Sequence, residues 1–146
     1  MIHIESDLPF PEELLERAAR AALEHEAQDG ELSIVLTDDA RLQELNRDYL
    51  GIDAPTDVLS FPASETDPQT GARYIGDILI SVPRAQSQAE AAGHALESEL
   101  QLLVVHGVLH LLGHDHGEPE EKKRMWRAQA EILNSLGLGN IQIREE

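Results

Sequence analysis

The stretch Val104–His116, V-V-H-G-V-L-H-L-L-G-H-D-H, carries four histidines on a background rich in leucine and valine, and three of them, His106, His110 and His116, have a telling spacing. His106 and His110 are four apart, so on an α-helix they lie one above the other on one face. Gly113 offers a place for that helix to stop and the chain to turn back, which can bring His116 round to the same point. Three neutral imidazoles converging there leave a fourth position open, the arrangement of a catalytic rather than a structural zinc site. A lone histidine on an apolar face is ordinarily a satisfied core or boundary residue. The third histidine, just past a glycine break, shifts the balance toward metal, because several buried imidazoles are costly unless something satisfies them.

The spacing H-x-x-x-H-x-x-G-x-x-H is that of the metzincin proteases, which need a glutamate directly after the first histidine as general base. Here that residue is Gly107, which cannot take a proton from metal-bound water. The chemistry left open is hydrolysis driven mainly by the metal, whose charge lowers the pKa of a bound water to about 7.

H-G-V-L-H-L-L-G-H-D-H resembles the signature of the YbeY family of zinc-dependent endoribonucleases, H-G-x-L-H-L-x-G-x-D-H. Leu45–Pro62 (L-N-R-D-Y-L-G-I-D-A-P-T-D-V-L-S-F-P) is similar to the family's second conserved block, and Ile75–Ser81 (I-G-D-I-L-I-S) to its third. The resemblance runs from about Asp38 to Leu136. It implies that His106, His110 and His116 are the ligands of one zinc ion and act through its bound water. It also implies a role in maturing ribosomal RNA, chiefly the 3′ end of the small-subunit RNA, and in ribosome quality control. One departure stands out: family members usually carry arginine after the tyrosine of the second block, and here that residue is Leu50. Arg47 is a substitute to test, although on a helix it would project about one turn away.

At 146 residues with no repeats, the chain fits one domain with a single core, here taken as residues 1–146. No apolar run approaches the roughly 20 residues needed to span a membrane, and no leader pattern precedes Ile2. Cysteine is absent, which excludes disulfides and thiolate ligands and suits a cytoplasmic protein. The net charge of −17 runs against free nucleic-acid binding, which draws on basic side chains and counterion release. Either acidity serves solubility, or RNA is met only through a local patch, with help from the small ribosomal subunit and its associated proteins.

Along the chain, Ile2–Glu5 reads as a strand and 11–28 as an amphipathic helix with Leu14, Leu15, Ala18, Ala19, Ala22 and Leu23 on one face. Glu31–Leu36 is a second strand, and Thr37 reads as the N-cap of a helix to about Tyr49. Residues 56–61 form a strand that stops at Pro62, 63–73 a polar hairpin loop, and Tyr74–Ser81 the returning strand. Helices follow from Pro83 to about Gly93, from Leu96 to Leu112, and from Pro119 to near Leu136. The expectation is an α+β domain: a small mixed four-stranded sheet with about five helices, the histidine helix central. Val104, Val108, Leu111, Leu112, Ile34, Leu36, Ile78 and Ile80 are expected to bury.

Several other residues carry a sharp and a bland reading. Asp115 either orients an imidazole or forms the turn before the last helix. Thr56 and Ser60 share a strand face opposite Asp57, and offer hydroxyls to a phosphate or to backbone. Asp77 bonds near the site or pairs locally. His114 lines the cleft or faces solvent, while His3, His25 and His94 default to the surface. Lys122, Lys123, Arg124 and Arg127, with Trp126, form the one dense basic cluster. It is either a solvated face or an RNA contact, with Trp126 packing or stacking on a base. Two rivals to the RNA-cleaving reading stand: a metalloprotease on spacing alone, and a non-catalytic ribosome-assembly factor in which zinc holds the fold.

Overall fold

In the computed structural model, which describes residues 2–6, 12–114 and 117–139, β1 (Ile2–Ser6) is followed by α1 (Glu12–His25) and β2 (Glu31–Thr37). Then come α2 (Asp39–Leu50), β3 (Val58–Thr66), β4 (Arg73–Ser81), α3 (Val82–Ala92), α4 (Leu96–Leu111) and α5 (Pro119–Ser135). The strands form one sheet in the order β1-β2-β4-β3. β1 and β4 run parallel to β2, and β3 is antiparallel to β4. Four strands in a mixed sheet and five helices among the described residues make the expected α+β domain.

The strand alternation decides which layer covers which face. Leu32, Ile34 and Leu36 on β2 and Ile78 and Ile80 on β4 are buried and share the face against which α4 packs. Ser60 pairs with Ile78 and so belongs to that face too. α1 buries Leu15, Ala18, Ala19, Ala22 and Leu23 and lies beside α4. Leu59 and Phe61 point the other way, where α2 packs on β3 and β4; there the rings of Tyr49 and Phe61 meet edge to face at 5.6 Å.

α4 touches α1, α3, α5, β3 and β4, which explains a helix apolar on nearly every side. Val104 and Val108 are fully buried as expected, whereas Leu111 and Leu112, at its end, are only partly buried. The helix lies unusually close to the sheet. A Cβ on Gly107 would sit 2.9 Å from Cγ2 of Ile78, and one on Gly76 would sit 2.6 Å from Cδ2 of Leu111.

Three boundaries differ from expectation. β3 does not stop at Pro62 but continues to Thr66: it is an edge strand, where proline's missing N–H faces no partner, and the register shifts between Pro62 and Glu65. The strand also starts at Val58, so Thr56 and Asp57 precede it; Asp57 is buried and its Oδ1 accepts from the Val58 N–H at 2.8 Å. Thr37 ends β2, and the cap of α2 is Asp38, whose Oδ1 accepts from the Arg41 N–H at 2.8 Å.

Candidate functional site

His106 and His110 project from successive turns of α4 and meet. Their ring centroids are 4.6 Å apart at an interplanar angle of 76°, and the two Nε2 atoms face each other at 3.1 Å. On the far side of His106, Nδ1 lies 2.9 Å from Oε1 of Gln129 on α5. An amide oxygen only accepts, so Nδ1 carries the proton and the lone pair sits on Nε2, directed toward His110. Gln129 is 2% exposed, and Trp126, one turn earlier on α5, packs its ring against His106 at 5.9 Å. α5 therefore fixes both the tautomer and the tilt of this imidazole.

The pair fits a zinc ion. With zinc–nitrogen distances of about 2.05 Å, two nitrogens 3.1 Å apart would subtend roughly 100° at a bound zinc, close to the tetrahedral angle. His116 and Asp115 lie outside the described residues. Among the described residues no three histidine or carboxylate side chains gather around one point, so a zinc ion at this pair would need a further donor.

α4 ends at Leu111, one residue before the expected Leu112, and Gly113 turns the chain with φ 99° as the sequence suggested. The turn is tied back by N–H bonds from Gly113 to the His110 carbonyl at 3.1 Å and from His114 to that of Leu109 at 2.9 Å. His114 does not face solvent: its side chain is 17% exposed and hydrogen-bonds to Glu26, just past α1. His94, expected at the surface, is largely buried and bonds through Nε2 to the fully buried Glu99 at 2.7 Å.

Ser60 comes to the histidine helix, its Oγ donating to the carbonyl of Gly107 at 3.3 Å. Thr56 precedes the strand and is half-buried. Arg47 is not brought to the histidines. It sits on α2, across the sheet from α4, with Nε 3.0 Å from Oδ1 of Asp48. Leu50, also on α2, is 55% exposed. Asp77 pairs locally, accepting from the Tyr74 hydroxyl on the sheet face away from α4. Burial and then the Asp77 hydrogen bond raise the Tyr74 pKa, so the phenol keeps its proton.

The basic cluster of α5 lies next to the histidines, since Trp126 at its centre rests on His106. Arg124 and His114, with Leu112, Gly113 and Glu121, line a cavity of about 190 Å³. Sequence reasoning missed Gln129 and Glu26. A signal existed for the first: Gln129 falls in the buried stripe Met125, Ala128, Gln129, Ile132, Leu133, where an amide needs a partner.

Comparison with known proteins gives first the class: residues 3–137 match the model of a family of endoribonucleases, hydrolases of RNA. That family is described as Endoribonuclease YbeY, and the chain belongs to it. A Brevibacillus brevis protein of that name is 47% identical over 137 residues, spanning 86% of each chain. One from Roseiflexus is 48% identical over 133 residues, spanning 86% of this chain and 83% of the other. The solution structure of TM1509 from Thermotoga maritima superposes with a TM-score of 0.60 at 27% identity, covering 99% of this chain and 97% of that one.

Proposed function

We propose that this chain, as one metal-dependent hydrolase domain, is a zinc-dependent endoribonuclease that matures ribosomal RNA at the 3′ end of the small-subunit RNA and serves ribosome quality control. The observation that carries the metal reading is the histidine pair itself, with Nε2 atoms 3.1 Å apart and the proton of His106 held on the opposite nitrogen by Gln129. His106, His110 and His116 would hold the ion, leaving one position open. When bound, zinc supplies an activated water or polarises a phosphate oxygen.

The chain's own residues do the rest. Gln129 keeps the His106 lone pair available for the metal. Trp126 closes the α5 side of the ring. Arg124, lining the cavity beside His114, offers an incoming phosphate a local cation on a chain of net charge −17. Such a chain repels naked RNA at long range, which supports a substrate presented by the small ribosomal subunit and its proteins in the cytoplasm. Whether water or the neighbouring 2′-hydroxyl attacks is read from the product: a 2′,3′-cyclic phosphate end marks the second.

The metalloprotease reading loses its support because Gly107 cannot serve as general base, and a side chain at that position would run into Ile78. The assembly-factor reading is separated by His110→Ala. A folded, inactive variant supports catalysis, and an unfolded one supports a structural metal. The decisive experiment measures metal content of the purified chain together with RNA cleavage, with and without chelator. One zinc per chain and chelator-sensitive cleavage are expected; cleavage that survives full metal removal overturns the proposal.

A further inference from the structure

Behind the turn that leaves α4 runs a chain of four titratable side chains that the proposed reaction does not use. His114 Nε2 is hydrogen-bonded to Oε1 of Glu26. The other oxygen of Glu26 lies 2.8 Å from Nδ1 of His25, and His25 Nε2 lies 2.7 Å from Oε2 of Glu131 on α5. The inner pair is sheltered, Glu26 and His114 being 18% and 17% exposed, while Glu131 at the outer end is 55% exposed. The end of α1, the exit of α4 and the middle of α5 are thus tied together by hydrogen bonds between ionisable groups, which are stronger than neutral ones when charged. Next to Glu26, just past α1, Ala27 sits at φ 53°, the one non-glycine residue at positive φ among those described. Such a backbone persists only where its surroundings hold it.

We infer that Glu26 is a positioning residue for the third arm of the metal site. It grips His114, two residues before His116, and so sets where the chain after Gly113 delivers its ligand to the His106–His110 pair. The inference rests on the reading of His116 as a ligand. His106 and His110 are held by a helix and by α5. His116 comes three residues after Gly113, beyond the last residue of α4, and ordering a ligand as the metal arrives costs affinity. Glu26 removes part of that cost beforehand, and His25 with Glu131 braces the Glu26 oxygen that His114 does not use.

The test is zinc affinity of the full chain, measured by competition with a chromophoric chelator, alongside the melting temperature of the zinc-free protein. Glu26→Ala and His114→Ala are each expected to weaken zinc binding about 10–100-fold, the range for lost outer partners of metal ligands. The double variant should be no weaker than either single one, because both remove one contact. Glu26→Gln keeps an oxygen that accepts from His114 and should restore most of the affinity, which a merely destabilised fold would not do. Zinc affinity in Glu26→Ala within about twofold of the parent, or losses that multiply in the double variant, would overturn the inference. Equal zinc binding by the parent and His110→Ala overturns the site reading itself, and this inference with it. That result differs from a failure at Glu26 alone.

Discussion

Gly107 rests on Ile78 with no space for a side chain between them: a Cβ there would stand 2.9 to 3.1 Å from three carbons of Ile78. The glycine in the histidine motif is thus what lets α4 lie flat on β4, with Ser60 bonded to its carbonyl. Gly107→Ala should destabilise the protein by about 1–3 kcal/mol, the usual cost of overpacking a filled core. Denaturant midpoints measure this, and an unchanged midpoint would show that α4 can lift from the sheet freely. Gly107→Glu should be worse still and should gain no activity on casein.

Gln129 touches no substrate in this arrangement, yet its oxygen determines which nitrogen of His106 is protonated. Gln129→Leu is expected to cost about 10–100-fold in zinc affinity, and Gln129→Glu, which retains an acceptor, much less. Chelator competition measures both, and equal losses in the two variants would show that only packing is at stake.

The network behind the turn carries a pH signature. His25 titrates above its ordinary 6.5, chiefly through its hydrogen bond to Glu131, with burial opposing and Glu26 assisting. Burial acts to raise Glu26, but hydrogen bonds from His114 and His25 outweigh it and leave the carboxyl below its ordinary 4.5. A raised histidine adds stability that is complete below pH 6.5 and fades as pH rises through its folded value. A lowered glutamate adds stability that is complete above pH 4.5 and fades as pH falls through its folded value. The stability lost in His25→Ala, followed by urea unfolding across pH, should therefore be greatest between 4.5 and 6.5 and shrink on the alkaline side. A loss independent of pH contradicts the ion-pair account.

Ala27 occupies the left-handed position at the end of α1, with the Gln28 N–H bonded back to the Leu23 carbonyl at 2.9 Å. Glycine is the residue suited to that place. Relief of the left-handed penalty outweighs glycine's greater freedom when unfolded, so Ala27→Gly should stabilise by about 0.5–1 kcal/mol. Thermal unfolding checks the sign, and a lower melting temperature would refute it.

Reversing Lys123 and Arg124 to glutamate should weaken binding to ribosomal particles and leave zinc content unchanged, since both are exposed on α5 and neither touches the histidine pair. Sedimentation with particles at several salt concentrations reads this out. Loss of a salt-dependent component is expected, and unaltered binding would reduce the cluster to solvation.

The spacing of His106, His110 and Gly113 was legible because a helix repeat and a left-handed glycine are local properties. The burial of Ile34, Leu36, Ile78 and Ile80 was legible for the same reason, since alternation along a strand puts such residues on one face. Pro62 misled because proline is excluded only from strands flanked on both sides, and nothing local in the sequence says that β3 is an edge. Arg47 was one turn from the family's arginine position in sequence, but α2 packs on the opposite face of the sheet from α4. Gln129 and Glu26 reach their histidines across 23 and 88 residues, distances at which only the packed tertiary structure brings partners together.

Gly76 and Gly107 also divide the chain for anyone wishing to alter what it cuts. The wall formed by β4 against α4 has no space for new groups, so randomising it yields misfolded protein rather than new specificity. The productive library lies on the other side: the outer positions of α5 around Arg124 and the cavity rim at 112–114, with both glycines held constant.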